Sequence, residues 1–156
     1  MATNNKFIVE RTNVLAADVT VGTSYAALDS GDFGWYGKAG EVYSFHAEVV
    51  YDAAAATDGA AFSVTASAAP TNVQFVSEYN TDATTVVRTA CVAVDTPDHG
   101  TASVDGLNKA VVFGVIQPSA DGFIGVSGIA ENASSITAKG GLSFVSWKRI
   151  DWPTEA

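Results

Sequence analysis

Positive charge is scarce in this 156-residue chain: eight Lys and Arg stand against seventeen Asp and Glu, a formal net charge of −9. Neutralising a phosphate backbone needs clustered cations. The only basic pair is Lys148-Arg149, so nucleic acid is excluded as an expected partner, and an anionic membrane surface repels the chain. Cysteine is almost absent. Cys91 stands alone, so no internal disulfide forms, and its apolar setting (Thr89-Ala90-Cys91-Val92-Ala93-Val94) reads as a buried, inert thiol rather than a nucleophile. No apolar stretch reaches the ~20 residues of a membrane span. The segment after Met1, Ala-Thr-Asn-Asn-Lys, lacks the apolar core of a signal peptide. Synthesis in a cytoplasm and a soluble product are the expectation. Helical periodicity is missing too: Ala53–Ala56 has room for one turn before Thr57-Asp58-Gly59 ends it.

What is abundant is small and apolar. Hydrophobic residues make up 47% of the chain and charged residues 16%, which is too apolar and too weakly charged for disorder and enough for one domain with a real core. A surface so poor in charge also predicts that part of it is covered, by copies of the chain or by a partner.

The clearest pattern begins at Tyr43. Tyr43, Phe45, Ala47, Val49 and Tyr51 alternate with Ser44, His46, Glu48 and Asp52, the period of a half-buried antiparallel strand. Asp58-Gly59 supplies a turn, and Phe62, Val64 and Ala66 resume the alternation. Further strands are predicted over 14–21, 24–28, 32–37, 41–52, 60–67, 72–79, 84–94, 109–117, 122–131 and 141–150. Turn dipeptides separate them: Ser30-Gly31, Ala39-Gly40, Asp105-Gly106, Asp121-Gly122 and Gly140-Gly141. Short strands at this spacing predict an all-β fold, an antiparallel, jelly-roll-like β-sandwich. The expected organisation is an N-terminal arm (1–13), one sandwich domain (14–150) and a C-terminal tail (151–156). The predicted core is Phe45, Val49, Phe62, Val64, Val86, Val92, Val112, Phe113, Val115, Ile124, Val126 and Phe144.

No catalytic constellation is visible, and the chain is read as non-enzymatic. Gly125-Val126-Ser127-Gly128 misses the Gly-x-Ser-x-Gly spacing of a nucleophile elbow and falls within a strand. There is no phosphate loop and no dinucleotide fingerprint. Two histidines exist, His46 on an outward strand face and His99 in the turn Asp95-Thr96-Pro97-Asp98-His99-Gly100. That turn is the one local candidate for a metal, and a solvated turn explains it better, so no cofactor is expected. Trp35, Tyr36, Tyr25 and Tyr79 read as core residues before they read as sugar platforms. In the last strand, Leu142 and Phe144 are taken to face the core. Val145 and Trp147 then face outward to a neighbouring subunit, with Trp152 a lid on the core or an anchor in a partner.

The quoted stretches carry a resemblance. Leu15-Ala-Ala-Asp-Val-Thr, Gly40 through Tyr51, Ala54 through Val64, Val111 through Gly122 and the closing Gly140-Gly-Leu-Ser-Phe-Val-Ser-Trp-Lys-Arg-Ile resemble a β-sandwich module of tailed-bacteriophage virion proteins. Such modules look like head decoration (cement) proteins or the tips of tail fibres, both commonly trimeric. With the chain opening at Met1 and no shaft before the domain, the decoration protein is the expectation, and a tail receptor- or carbohydrate-binding protein the alternative. The resemblance implies a homotrimer on the outer capsid surface of a virion. It would contact the major capsid protein through the arm residues Phe7, Ile8 and Val9 or through the Trp152 tail. The negative charge suits an outer surface.

Overall fold

Alternating apolar and polar side chains become strands almost wherever the sequence predicts them. The computed structural model describes residues 10–82 and 84–150. Its strands run β1 (Arg11–Val14), β2 (Val19–Thr20), β3 (Ala26–Ala27), β4 (Gly34–Gly37), β5 (Val42–Ala53), β6 (Ala60–Ala66), β7 (Pro70–Asn80), β8 (Val86–Cys91), β9 (Gly106–Pro118), β10 (Gly122–Ala130), β11 (Ile136–Ala138) and β12 (Phe144–Ile150). All pairings are antiparallel.

Two sheets pack face to face. The larger, eight-stranded sheet has the order β1-β12-β5-β9-β7-β8, with β11 joining β5 beyond the end of β12 and β2 pairing with β11. The smaller, four-stranded sheet is centred on β10, with β6 along one side and β4 and β3 in succession along the other. The core lies between them. The inward row of β5 (Tyr43, Phe45, Ala47, Val49, Tyr51) meets Phe62 and Val64 of β6 and Ile124 and Val126 of β10 there, all buried. Tyr51 and Phe62 bring their ring centroids to 5.1 Å. Gly114 stands in register between Phe45 and Phe75, and those two rings close over it at 6.4 Å. A Cβ there would collide with the Gln74 carbonyl oxygen and with Phe75.

The outer side of the small sheet is covered by the loop after β8. Asp95 takes φ +55° and accepts from Ser127 Oγ (2.7 Å) and Thr65 Oγ1 (3.2 Å). Its own N–H, with that of Gly100, donates to carbonyls on the free edge of β6. Tyr25 donates to the Pro97 carbonyl at 2.5 Å and Tyr79 to that of Asp98. The loop therefore closes a sheet edge that would otherwise expose unpaired groups. The same contacts account for Asp95 and His99: the first is held by hydroxyls, and His99 Nδ1 lies 2.9 Å from the Gly100 oxygen.

Three sequence expectations change. Arg11, Thr12 and Asn13, assigned to the arm, form most of the edge strand β1 and pair with β12, so the sandwich starts earlier than residue 14. β11 was unforeseen because Ile136–Ala138 is too short to show a period. Of the predicted core, Val86, Val92, Phe113, Val115 and Phe144 lie on or near the surface.

Candidate functional site

Most of those misplaced residues share one place. The face of the large sheet that points away from the small sheet has no layer over it among the described residues. Its side chains form cross-strand rows. One row reads Val14, Phe144, Glu48, Val111, Glu78, Arg88; the next reads Thr12, Ser146, His46, Phe113, Val76, Ala90. His46 lies between two aromatic rings, 6.1 Å from Phe113 and 6.3 Å from Phe144. Arg88 sits 5.9 Å over Phe113 and forms an ion pair with Glu78 at 2.9 Å. Lys109 reaches Glu48 at 3.3 Å, and His46 Nε2 is 3.5 Å from the same carboxylate. Partial burial alone raises the Glu48 pKa, but the bonds from Lys109 and His46 outweigh it and hold the carboxyl below its usual range.

The strand at the middle of this face is β9. Ala110, Val111, Val112, Phe113, Val115 and Ile116 make its centre apolar on both sides, interrupted only by Gly114. A strand apolar on both faces is the signature of a strand covered on both faces. Here the described residues cover only one face: Val112 and Ile116 are fully buried, whereas Val115 is 38% exposed and Val111 and Phe113 are half-buried.

A second feature lies on the flank where the edges of both sheets meet. β1 and β4 bound an open groove of about 730 Å³, lined by Arg11, Thr12 and Asn13 on one wall and by Trp35, Tyr36 and Phe123 on the other, with Trp147 between. Trp35 and Trp147 stack at 5.5 Å with their planes 9° apart. Asn13 Nδ2 donates to the Gly34 carbonyl at 2.7 Å, tying the two edges together. Tyr36 stands 67% exposed, with the Lys38 ammonium 5.8 Å from its ring centroid and that ammonium bonded to Asp121.

The singled-out residues fall as follows. Val145 is fully buried in the chain's own core. Trp147 shares its side of β12, packed against that core and on Trp35. Phe144 is on the opposite, outer side. The two-residue phase of β12 was read correctly and its sense reversed, because Leu142, which set the sense, lies outside the strand and is exposed. Phe7, Ile8, Val9 and Trp152 lie outside the described residues. Trp35 and Tyr79 are core residues as read, Tyr36 is not, and Cys91 is buried with its thiol towards the Thr89 carbonyl. Among the described residues no group of three or more His, Cys, Asp or Glu side chains is placed to hold a metal ion, and no helix is long and apolar enough to cross a membrane.

No protein-family model and no curated protein matches the chain. Two solved structures show a slight likeness. The infectious bursal disease virus VP2 subviral particle aligns over 97% of this chain at 11% identity with a TM-score of 0.30. The structure of infectious bursal disease virus Gx strain aligns over 98% at 10% identity with a TM-score of 0.27. The chain spans 41% of the length of each. A likeness at this level carries no argument about what the chain does.

Proposed function

We propose that this chain is a non-enzymatic structural protein of a bacteriophage virion. In this reading it is a decoration protein that binds the outer capsid shell as a homotrimer and stabilises it. The observation that supports the reading is the apolar centre of the large sheet, which no other described residue covers. Val111, Phe113, Val115 and Phe144 are half-buried or exposed side by side on a rigid, weakly charged body, which is what a contact between copies requires. The resemblance of the sequence to phage virion modules supplies the setting.

The division of labour follows from position. The outer sheet face holds copies together, and the N-terminal segment carrying Phe7, Ile8 and Val9, or the tail carrying Trp152, contacts the major capsid protein. About 800 Å² per partner suffices for a specific contact, because three linked contacts raise one another's effective concentration. Binding the assembled lattice and not free subunits stabilises the shell by mass action.

The test is add-back. Purified chain is mixed with shells stripped of it, and occupancy and the shell's thermal disassembly temperature are measured. Saturable occupancy with a raised disassembly temperature is expected. A chain lacking residues 2–9, cut short of β1 so that the Arg11–Val14 pairing survives, should fold and assemble but bind shells weakly. Unchanged occupancy removes the arm from the mechanism, and no occupancy by the full chain removes the proposal.

A further inference from the structure

We propose that the groove between β1 and β4 is a saccharide-binding site, separate from the sheet face used for assembly. A saccharide offers a flat C–H face bordered by neutral hydroxyls, and its site needs an exposed ring, converging hydrogen-bond groups and little charge. The groove has all three. Tyr36, 67% exposed, supplies the ring at the rim. Phe123 extends the platform: it pairs across the ladder with Tyr36, and its ring lies over Gly34 and Gly125, where an added Cβ on either would meet its Cζ. Gly34 and Gly125 are paired in register, so the wall beneath Phe123 is bare of side chains.

Polar side chains stand on the opposite wall: Arg11 and Asn13 share the side of β1 that carries Trp147 and Val145 on β12, whereas the Thr12 hydroxyl bonds Ser146 Oγ on the outer face. None of the lining residues is acidic, although the chain carries a net charge of −9. Trp35 adds an independent observation. It lines the groove, is 6% exposed, and its indole N–H has no hydrogen-bond partner among the described residues. Buried polar groups are ordinarily paired, and an orphan marks an unfilled partner. A hydroxyl entering beside the Trp35–Trp147 stack would fill it. The volume, about 730 Å³, falls within the roughly 300–1,000 Å³ of small-molecule sites and admits a di- or trisaccharide. A peptide added as a strand fits less well, because Asn13 already occupies the Gly34 carbonyl on the β4 edge.

The experiment is saturation-transfer NMR on the full chain with maltotriose, cellotriose, N-acetylchitotriose and galactotriose at millimolar concentration, with tryptophan emission followed in parallel. At least one trisaccharide is expected to receive saturation and to perturb the emission through the Trp35–Trp147 stack. Tyr36→Ala, an exposed position where the fold tolerates change, should weaken that binding about tenfold, and Asn13→Ala should weaken it as well. Val115→Asp, on the outer sheet face, should leave it unchanged. Binding of none of the four sugars overturns the proposal, as does wild-type affinity in Tyr36→Ala. Failure here leaves the shell-binding test untouched, since that test reads occupancy on capsids through other surfaces.

Discussion

A carboxylate at position 115 separates a sheet face that meets solvent from one that meets another copy. Val115 lies on the outward side of β9, in register with Ser44 and Gln74, and is 38% exposed. In an isolated molecule Val115→Asp sets a charge among polar neighbours at the surface, so the cost to folding is limited to a lost β-branched side chain, about 1 kcal/mol at most. In an assembly that covers β9, the same carboxylate is desolvated. The penalty is then at least ~3 kcal/mol, a weakening of more than about a hundredfold per contact. Sedimentation velocity across a concentration series, with urea unfolding of the same samples, reads both quantities. The expected result is a trimeric wild type and a folded, monomeric variant with nearly unchanged unfolding midpoint. A variant that keeps the wild-type mass refutes the assignment of this face, and a wild type that is monomeric at every concentration refutes self-association altogether.

The interior makes the complementary forecast. Phe62→Ala removes a fully buried ring packed on Tyr51 and should cost about 3–5 kcal/mol, whereas Val92→Ser, 78% exposed beyond the end of β8, should stay within about 0.5 kcal/mol; both are read by urea unfolding. Gly114→Ala drives a Cβ into the Gln74 carbonyl and Phe75 and should cost at least about 1–3 kcal/mol from overpacking, read from the same curves. Stability should also fall at both ends of the pH scale. Burial is the leading cause that raises the pKa values of Tyr25, Tyr43, Tyr51 and Tyr79. Their contribution is complete below the unfolded value of about 10 and is lost as pH rises beyond it. Asp18, bonded by Lys139, Asp121, bonded by Lys38, and Glu48 have lowered values. What they contribute is present above the unfolded value of about 4 and is lost as pH falls through their folded values. Unfolding midpoints that stay flat below pH ~4 and above pH ~10 would contradict this.

The sequence made the sandwich legible where one face of a strand was apolar and the other polar. β5 is the case in point: Tyr43, Phe45, Ala47, Val49 and Tyr51 are all buried, because only one register puts that set inside. Legibility failed where both parities were apolar. In β9 the period cannot say whether Val112 or Phe113 faces the core, and the structure puts Val112 inside and leaves Phe113 at the surface. In β12 the sense was taken from Leu142, which precedes the strand, and so Val145 and Phe144 were exchanged. The flank groove was invisible for another reason. It joins Asn13, Trp35, Tyr36, Phe123 and Trp147 from four strands, and no spacing within the sequence brings them together. Glycines gave the available hint: Gly34 and Gly37 bracket Trp35-Tyr36 in a short strand, and Gly125 lies opposite Gly34, which marks close backbone approach.

The measurement closest to the central claim is a count of this chain against the major capsid protein in purified virions by quantitative mass spectrometry. A decoration protein is present in a number comparable with the major capsid protein, and that is the predicted result. A handful of copies per particle, or none, would contradict the account.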